Sequence, residues 1–180
     1  MNAIPTALPG VLILEPKVFG DDRGFFFESY NEGQFEQATG RAPRFVQDNH
    51  SRSIRGVVRG IHYQVVKPQA KLVRAGSGVI LDVAVDLRRT SPTFGQHVAV
   101  ELSADNKRQL WIPEGFGHGF AVLSETAELL YKTTEFWFPA HDRSLAWDDP
   151  ALGIDWRVAE AILSDKDQKA PRLEQAELFD

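Results

Sequence analysis

Short apolar segments separated by glycine and proline are the feature that most constrains the fold of this chain. The longest runs from 79 to 87 and divides into two faces by strict alternation. One face carries Asp82, Ala84 and Asp86, and the other carries Val79, Leu81, Val83, Val85 and Leu87. Further strands are predicted over 11–14, 71–75, 96–102, 109–112, 119–123 and 127–134. Many short strands at regular intervals predict an all-β sandwich or barrel, with Gly76-Ser-Gly78 as a hairpin turn between its two flanking strands.

Helical signals are few. Asn31 is suited to cap a helix, Gln34 follows three positions later as in a capping box, and Gly40 is suited to end it. A second helical segment is predicted after Ala170. The expected fold is therefore all-β with a few short helices.

Size and composition limit the classes of function. With 180 residues, 43% of them hydrophobic and 25% charged, one globular domain over 1–180 is expected. A net charge of -5 argues against a nucleic-acid-binding surface. No cysteine is present, no basic segment precedes an apolar run at the N-terminus, and no apolar run approaches the ~20 residues of a membrane span. These features are consistent with a cytoplasmic protein that has no membrane partner.

Polar residues interrupt the predicted strands between positions 45 and 74. Gln47, Asn49, Arg59, His62 and Lys71 all fall in this stretch. Polar groups on strands are costly to bury without partners, so the stretch is either a solvated sheet face or the lining of a polar pocket. His62 is either a hydrogen-bonded core histidine or a general base in an anion-binding site.

Several longer motifs resemble the dTDP-4-dehydrorhamnose 3,5-epimerase family. They are Asp22-Arg-Gly-Phe-Phe-Phe-Glu28, Gln47-Asp-Asn49, Arg59-Gly-Ile-His62, 82–88, Ser91-Pro-Thr-Phe-Gly95, 111–120, Trp147-Asp-Asp-Pro150 and Leu163-Ser-Asp-Lys-Asp167. The resemblance extends over nearly the whole chain. It implies a double-stranded β-helix, which is the cupin-type jelly-roll barrel, and a homodimer. It also implies inversion of C3 and C5 of dTDP-4-dehydro-6-deoxy-D-glucose without a cofactor or metal, giving dTDP-4-dehydro-L-rhamnose.

The resemblance also assigns catalytic roles. It gives the general base to His62, the orienting carboxylate to Asp167 and the general acid to Tyr131, and Asp165 remains an alternative partner for the base. Lys71 and His118 are expected near the C4 oxygen, where donors stabilise the enolate that forms when a proton leaves C3 or C5.

Substrate contacts are implied at further positions. They are Arg23, Phe26, Glu28, Gln47, Asp48, Asn49, Arg59, Asp142 and Lys166, with Trp137 stacked on the thymine. The guanidinium of Arg59 is suited to a diphosphate. Strict alternation directs Arg59 and His62 to opposite faces of one strand, unless Gly60 permits a bulge. Two positions depart from the family pattern: Asp142 stands where glutamate is usual, and Gly117 where alanine is usual.

Three alternative functions are compatible with parts of the sequence. A metal-dependent cupin is suggested by Pro113-x-Gly115-x-x-His118, but the second histidine and the glutamate of such a site are absent beside His62. A C3-only epimerase would use the same acid and base. A non-catalytic sugar-nucleotide-binding or storage-type barrel would not need an acid and a base together.

Overall fold

Antiparallel strands dominate the computed structural model, which describes all residues from 1 to 180. The strands are β1 Asn2–Pro5, β2 Leu12–Glu15, β3 Phe19–Asp21, β4 Gly24–Phe26, β5 Gln47–Ile54, β6 Val58–Gln64, β7 Lys71–Ser77, β8 Val79–Asp86, β9 His97–Ser103, β10 Gln109–Ile112, β11 Phe116–Val122, β12 Thr126–Thr133 and β13 Asp142–Ser144. The helices are α1 Glu32–Thr39 and α2 Asp165–Gln168, with 3-10 turns at Pro139–His141 and Leu173–Gln175.

Two sheets pack face to face as a cupin-like jelly roll. One has six strands in the order β1-β2-β10-β7-β12-β5, and the other has five in the order β13-β6-β11-β8-β9. Strands β3 and β4 form a separate hairpin. Apolar side chains from both sheets fill the space between them, among them Val73, Leu110, Leu129, Ile80 and Phe120. The all-β jelly-roll prediction is confirmed.

The outer face of each sheet is also covered. Phe35 of α1 packs with Leu72 and Trp111 on the six-stranded sheet. The C-terminal segment covers the five-stranded sheet, where Leu81 and Val83 pack with Leu145, Leu152 and Trp156. Both faces of β8 are therefore buried, including the face that carries Asp82 and Asp86.

The predicted hairpin at Gly76-Ser-Gly78 is wrong. β7 pairs with β10 and β12, whereas β8 pairs with β9 and β11, so this turn carries the chain from one sheet to the other. Gly78 has a φ of 69°, and a Cβ there would collide with the carbonyl of Thr126. A glycine pair marks a tight turn in both situations, and only the tertiary packing decides which sheet the next strand joins.

The first helix is confirmed at both ends, but the Gln34 side chain donates to Glu28 Oε2 and does not complete the capping box. The Asn31 side chain accepts a hydrogen bond of 3.1 Å from the backbone N–H of Gln34, and Gly40 ends α1 in the left-handed conformation with a φ of 68°.

The helical prediction after Ala170 is wrong except for the single 3-10 turn at Leu173–Gln175. Ala146 donates to the carbonyl of Pro171, and the backbone N–H of Leu173 donates to Asp149 Oδ2, so the chain is held along the sheet. α2, which precedes this segment, was missed because four residues are too few to show helical periodicity.

The C-terminal segment brings α2 to the edge of the barrel. The Tyr63 hydroxyl donates to the carbonyl of Glu177 at 2.7 Å, and the backbone N–H of Arg89 donates to the carbonyl of Phe179 at 2.9 Å. These bonds fasten the segment that follows α2 to β6 and to the residues just after β8. No helix of the structure has the length and hydrophobicity needed to cross a membrane.

Candidate active site

A polar cavity of about 310 Å³ opens between the two sheets. Eight of the predicted site residues line it: Asn49, Arg59, His62, Lys71, His118, Tyr131, Trp137 and Asp142. They come from five strands, β5, β6, β7, β11 and β12, and from the segment around β13. The polar stretch between positions 45 and 74 therefore lines a pocket, as one of its two interpretations required.

His62 is held by a buried carboxylate. Its Nε2 lies 2.6 Å from Oδ1 of Asp167, which is 2% exposed. Ser164, the N-cap of α2, donates from Oγ to Asp167 Oδ2 at 2.9 Å. Burial alone would raise the pKa of Asp167, but the interactions with His62 and Ser164 lower it below its ordinary value. An ionised Asp167 leaves Nδ1 of His62 free to accept a proton.

A bulge resolves the conflict between Arg59 and His62. His118 of β11 pairs with His62 of β6, and Phe120 of β11 pairs with Arg59 of β6. The two pairs are two residues apart on β11 but three residues apart on β6. The extra residue on β6 directs both side chains into the cavity. Gly60 has a φ of 118°, and a Cβ there would lie 2.5 Å from the Cα of Gly119. Glycine is therefore required where the two strands approach most closely.

Lys71 is a buried cation beside the dyad. Its Nζ lies 3.5 Å from the backbone carbonyl oxygen of His62, and the residue is 8% exposed. Burial lowers the pKa of Lys71 to about 8, against the opposing effect of Asp142 and Asp82. The ammonium form still predominates at neutral pH, so Lys71 supplies positive charge to the cavity.

His118 forms a second histidine–aspartate pair. Its Nε2 lies 2.8 Å from Oδ1 of Asp82, a fully buried residue of β8. Burial lowers the pKa of His118, and the Asp82 carboxylate opposes this shift. The sequence indicated that Asp82 shares a strand face with Ala84 but gave it no role. Two carboxylates, Asp82 and Asp86, on a strand bordered by apolar residues were the signal that could have identified it.

Tyr131 lies on the wall opposite the dyad. It belongs to β12 in the six-stranded sheet, whereas His62 belongs to β6 in the five-stranded sheet. Burial raises the pKa of the Tyr131 phenol, Asp142 raises it further, and Arg59 opposes them. The phenol is therefore protonated at neutral pH and is placed to give a proton to a ligand held between the sheets.

The rim of the cavity carries further predicted residues. Trp137 is 57% exposed, and its backbone N–H donates to Oε1 of Gln47 at 3.1 Å. Lys166 of α2 donates to Asp142 Oδ2 at 2.5 Å, which joins α2 to the segment around β13. Arg59 Nε donates to Ser53 Oγ at 3.1 Å, which leaves its terminal nitrogens without a partner in the chain.

Four predicted contacts lie elsewhere in this chain. The Asp48 side chain points to the outer face of the six-stranded sheet and accepts from Lys132 Nζ at 2.9 Å. Arg23 and Phe26 belong to the β3–β4 hairpin, where their side chains are exposed, and Glu28 accepts hydrogen bonds from Asn31 and Gln34. None of the four lines the cavity that holds His62.

No group of three or more histidine, cysteine, aspartate or glutamate side chains in the structure is arranged to hold a metal ion. The imidazoles of His62 and His118 are each directed to a separate aspartate, and Lys71 lies between the two sheets with them.

A family model described as dTDP-4-dehydrorhamnose 3,5-epimerase matches residues 5–175. The chain belongs to this family. A curated member, the dTDP-4-dehydrorhamnose 3,5-epimerase of Pseudomonas aeruginosa, is 61% identical over 180 residues, which are 99% of each chain. The matched residues include every side chain that lines the cavity.

Relatives with other descriptions show the range of the family. A crystal structure of the Legionella pneumophila dTDP-6-deoxy-D-glucose-3,5-epimerase in complex with dTDP-4-keto-L-rhamnose superposes with a TM-score of 0.95 at 49% identity, covering 98% of this chain and 94% of that chain. A dTDP-4-dehydrorhamnose 3-epimerase of Streptomyces niveus is 40% identical over 177 residues, covering 98% of this chain and 86% of that protein. Family members therefore differ in how many carbons they are described as inverting.

Proposed function

We propose that the protein inverts C3 and C5 of dTDP-4-dehydro-6-deoxy-D-glucose and gives dTDP-4-dehydro-L-rhamnose. One observation of the site carries this assignment. A histidine–aspartate dyad and a protonated tyrosine line opposite walls of one cavity, on facing sheets. Inversion at carbon needs a proton to leave one face and another to arrive at the opposite face, and this arrangement provides both.

His62 takes the proton in this proposal. The C4 ketone makes the protons on C3 and C5 acidic, because removal of either leaves an enolate. Asp167 keeps a proton on Nε2 of His62, so Nδ1 has the free electron pair that a base requires. The carboxylate then balances the charge of the imidazolium that forms.

Lys71 and His118 face the developing charge. The Lys71 ammonium is buried, and a buried charge acts strongly on a nearby oxyanion. Removal of one oxyanion donor of this kind typically reduces kcat by about 10²–10³-fold. The positive charge of Lys71 serves the purpose that a metal ion serves in other cupins.

Tyr131 returns the second proton from the opposite wall. Because its phenol is protonated at neutral pH, it needs no activation before it donates. His62, as the imidazolium, then loses its proton to solvent, Tyr131, as the phenolate, takes a proton from solvent, and the site is ready for the second carbon.

The nucleotide end of the substrate is assigned to Arg59 and the rim. The terminal nitrogens of Arg59 suit a diphosphate, and the exposed indole of Trp137 suits stacking on the thymine. The predicted homodimer accounts for the contacts that lie elsewhere. Phe26 is 65% exposed on the β3–β4 hairpin, and a second copy can bring its hairpin to this rim. Light scattering of wild type and Phe26→Asp tests that assembly, and a wild-type monomer would contradict it.

Isotope exchange in deuterium oxide tests the function and its main alternative. Incubation of the 4-keto substrate with the protein should place deuterium at both C3 and C5, measured by proton NMR of the dTDP sugar. Exchange at C3 alone would replace the proposal by C3-only epimerisation, the activity in the name of the Streptomyces niveus relative. Tight binding without exchange at either carbon would favour a non-catalytic sugar-nucleotide-binding barrel.

A further inference from the structure

Asp82, the buried partner of His118, has no role in the scheme above. Asp82 has no exposed surface, its Oδ1 lies 2.8 Å from Nε2 of His118, and His118 is 6% exposed. Across the strands, Asp82 stands opposite Phe120, and His118 stands opposite Ala84, so Asp82 and His118 are diagonal neighbours on the interior face. His118 is also the direct partner of His62 on β6. Two imidazoles, each with its own aspartate, therefore lie side by side on one wall.

The hydrogen bonds of Asp82 differ from those of a structural carboxylate. Its Oδ2 is buried and has no hydrogen-bond partner in the chain. Asp86 lies on the same face of β8 as Asp82 and is equally buried. Asp86, however, receives hydrogen bonds from Arg88, Ser91 and Thr93. A buried carboxylate kept with an unpaired oxygen weakens the fold, which is typical of groups retained for function.

The pair also determines where the proton of His118 lies. An ionised carboxylate can only accept, so the hydrogen in the Asp82–His118 bond belongs to Nε2. Nδ1 of His118 makes no hydrogen bond within the chain and belongs to a ring that lines the cavity. Nδ1 is thus left for the ligand. The other charged or titratable groups around this ring are His62 of β6, Lys71 of β7 and Tyr131 of β12.

We infer that Asp82 is a positioning residue for His118. Asp82 fixes the imidazole ring of His118 and holds its proton on Nε2, so that Nδ1 of His118 meets the ligand. A neutral His118 then accepts a hydrogen bond from a sugar hydroxyl. It donates to the C4 oxygen only as the imidazolium, whose charge Asp82 balances. The kinetic part of this inference rests on the proposed function, whereas the proton position does not.

The proton position is measured on the protein without substrate. Two-dimensional proton–nitrogen correlation spectra of the imidazoles distinguish the two tautomers, and the chain has only five histidines. The His118→Gln spectrum identifies the His118 signals by their loss. We expect wild-type His118 to carry its proton on Nε2, and Asp82→Asn to move or randomise that proton while the His62 signals keep their pattern. Wild-type His118 with its proton on Nδ1 alone would overturn the inference, even if Asp82→Asn does not fold.

The kinetic comparison uses a matched buried aspartate. Asp82→Asn should lower kcat on the order of 10- to 100-fold, as loss of a group that orients a functional histidine does elsewhere, with KM changed much less. Asp86→Asn removes an equally buried carboxylate of the same strand and should lower the melting temperature without this change in kcat. If both variants reduce activity only in proportion to their folded fraction, Asp82 is structural. A wild-type protein that lacks epimerase activity but shows the Nε2 proton would refute the proposed function and leave the positioning role intact.

Discussion

The bond between Asp167 and His62 makes Asp167→Asn a decisive substitution. In the present structure Ser164 Oγ accepts from the backbone N–H of Asp167 and donates to Asp167 Oδ2, so we expect an acceptor to stay at that position. The amide oxygen of the variant will therefore face Ser164, and its NH₂ group will face Nε2 of His62 across the present distance of 2.6 Å. Nε2 must then accept, and the ring proton moves to Nδ1. His62 loses the electron pair with which it takes a proton from the sugar.

The expected loss follows from the contribution of a general base. General base catalysis contributes about 10²–10⁴-fold to a rate, which corresponds to about 2.7–5.4 kcal/mol of transition-state stabilisation. Asp167→Asn should lower kcat within this range. Affinity for dTDP should change less than threefold, on the order of 0.6 kcal/mol, because the nucleotide end binds at Arg59 and the rim.

The assay combines isotope exchange with binding. Exchange rates at C3 and C5 are followed by proton NMR in deuterium oxide, and dTDP affinity by calorimetry. Asp165→Asn is the matched control, since Asp165 is exposed on the same helix and was the alternative partner for His62. Equal losses of turnover and dTDP affinity in Asp167→Asn would make Asp167 structural. Full activity, or an equal loss in Asp165→Asn, would refute the dyad.

Four further outcomes are expected. His62→Ala should abolish exchange at both carbons, and normal exchange at C5 would reveal a second base. Tyr131→Phe should retain exchange with solvent while the inverted product falls by about 10²-fold or more, and a wild-type rate of inversion would show that the acid is misassigned. Burial raises the pKa of Asp86, but hydrogen bonds from Arg88, Ser91 and Thr93 together outweigh it and lower this pKa to about 2. The contribution of Asp86 to stability is therefore complete above pH ~4 and is lost as the pH falls towards 2. Because Arg88 is about a third exposed, this contribution is about 1–2 kcal/mol. The difference in unfolding free energy between wild type and Asp86→Asn should therefore shrink below pH ~4. A difference that stays constant with pH would contradict this expectation. Activity should survive dialysis against a strong chelator, because Lys71 supplies the positive charge at the cavity. If the chelator abolishes activity and one divalent ion restores it, the protein is a metal-dependent cupin.

Local chemistry was readable from the sequence. The cap formed by Asn31 and the end of α1 at Gly40 depend only on neighbouring residues, so they were predictable. The alternation within 79–87 likewise predicted the strand β8, although not the burial of the face that carries Asp82 and Asp86. The long motifs identified the family, and the residues within them that line the cavity include Asn49, His62 and His118.

Only the tertiary structure decided which distant segments meet. The turn at Gly78 joins two sheets because β8 finds its hydrogen-bond partners in β9 and β11, which alternation within one strand cannot reveal. The bulge at Gly60 turns Arg59 and His62 into one cavity, although alternation separates them. Asp82 meets His118 across 36 positions because two antiparallel strands set their register. Side-chain periodicity is a local property, whereas register and sheet membership depend on the packing of the whole barrel.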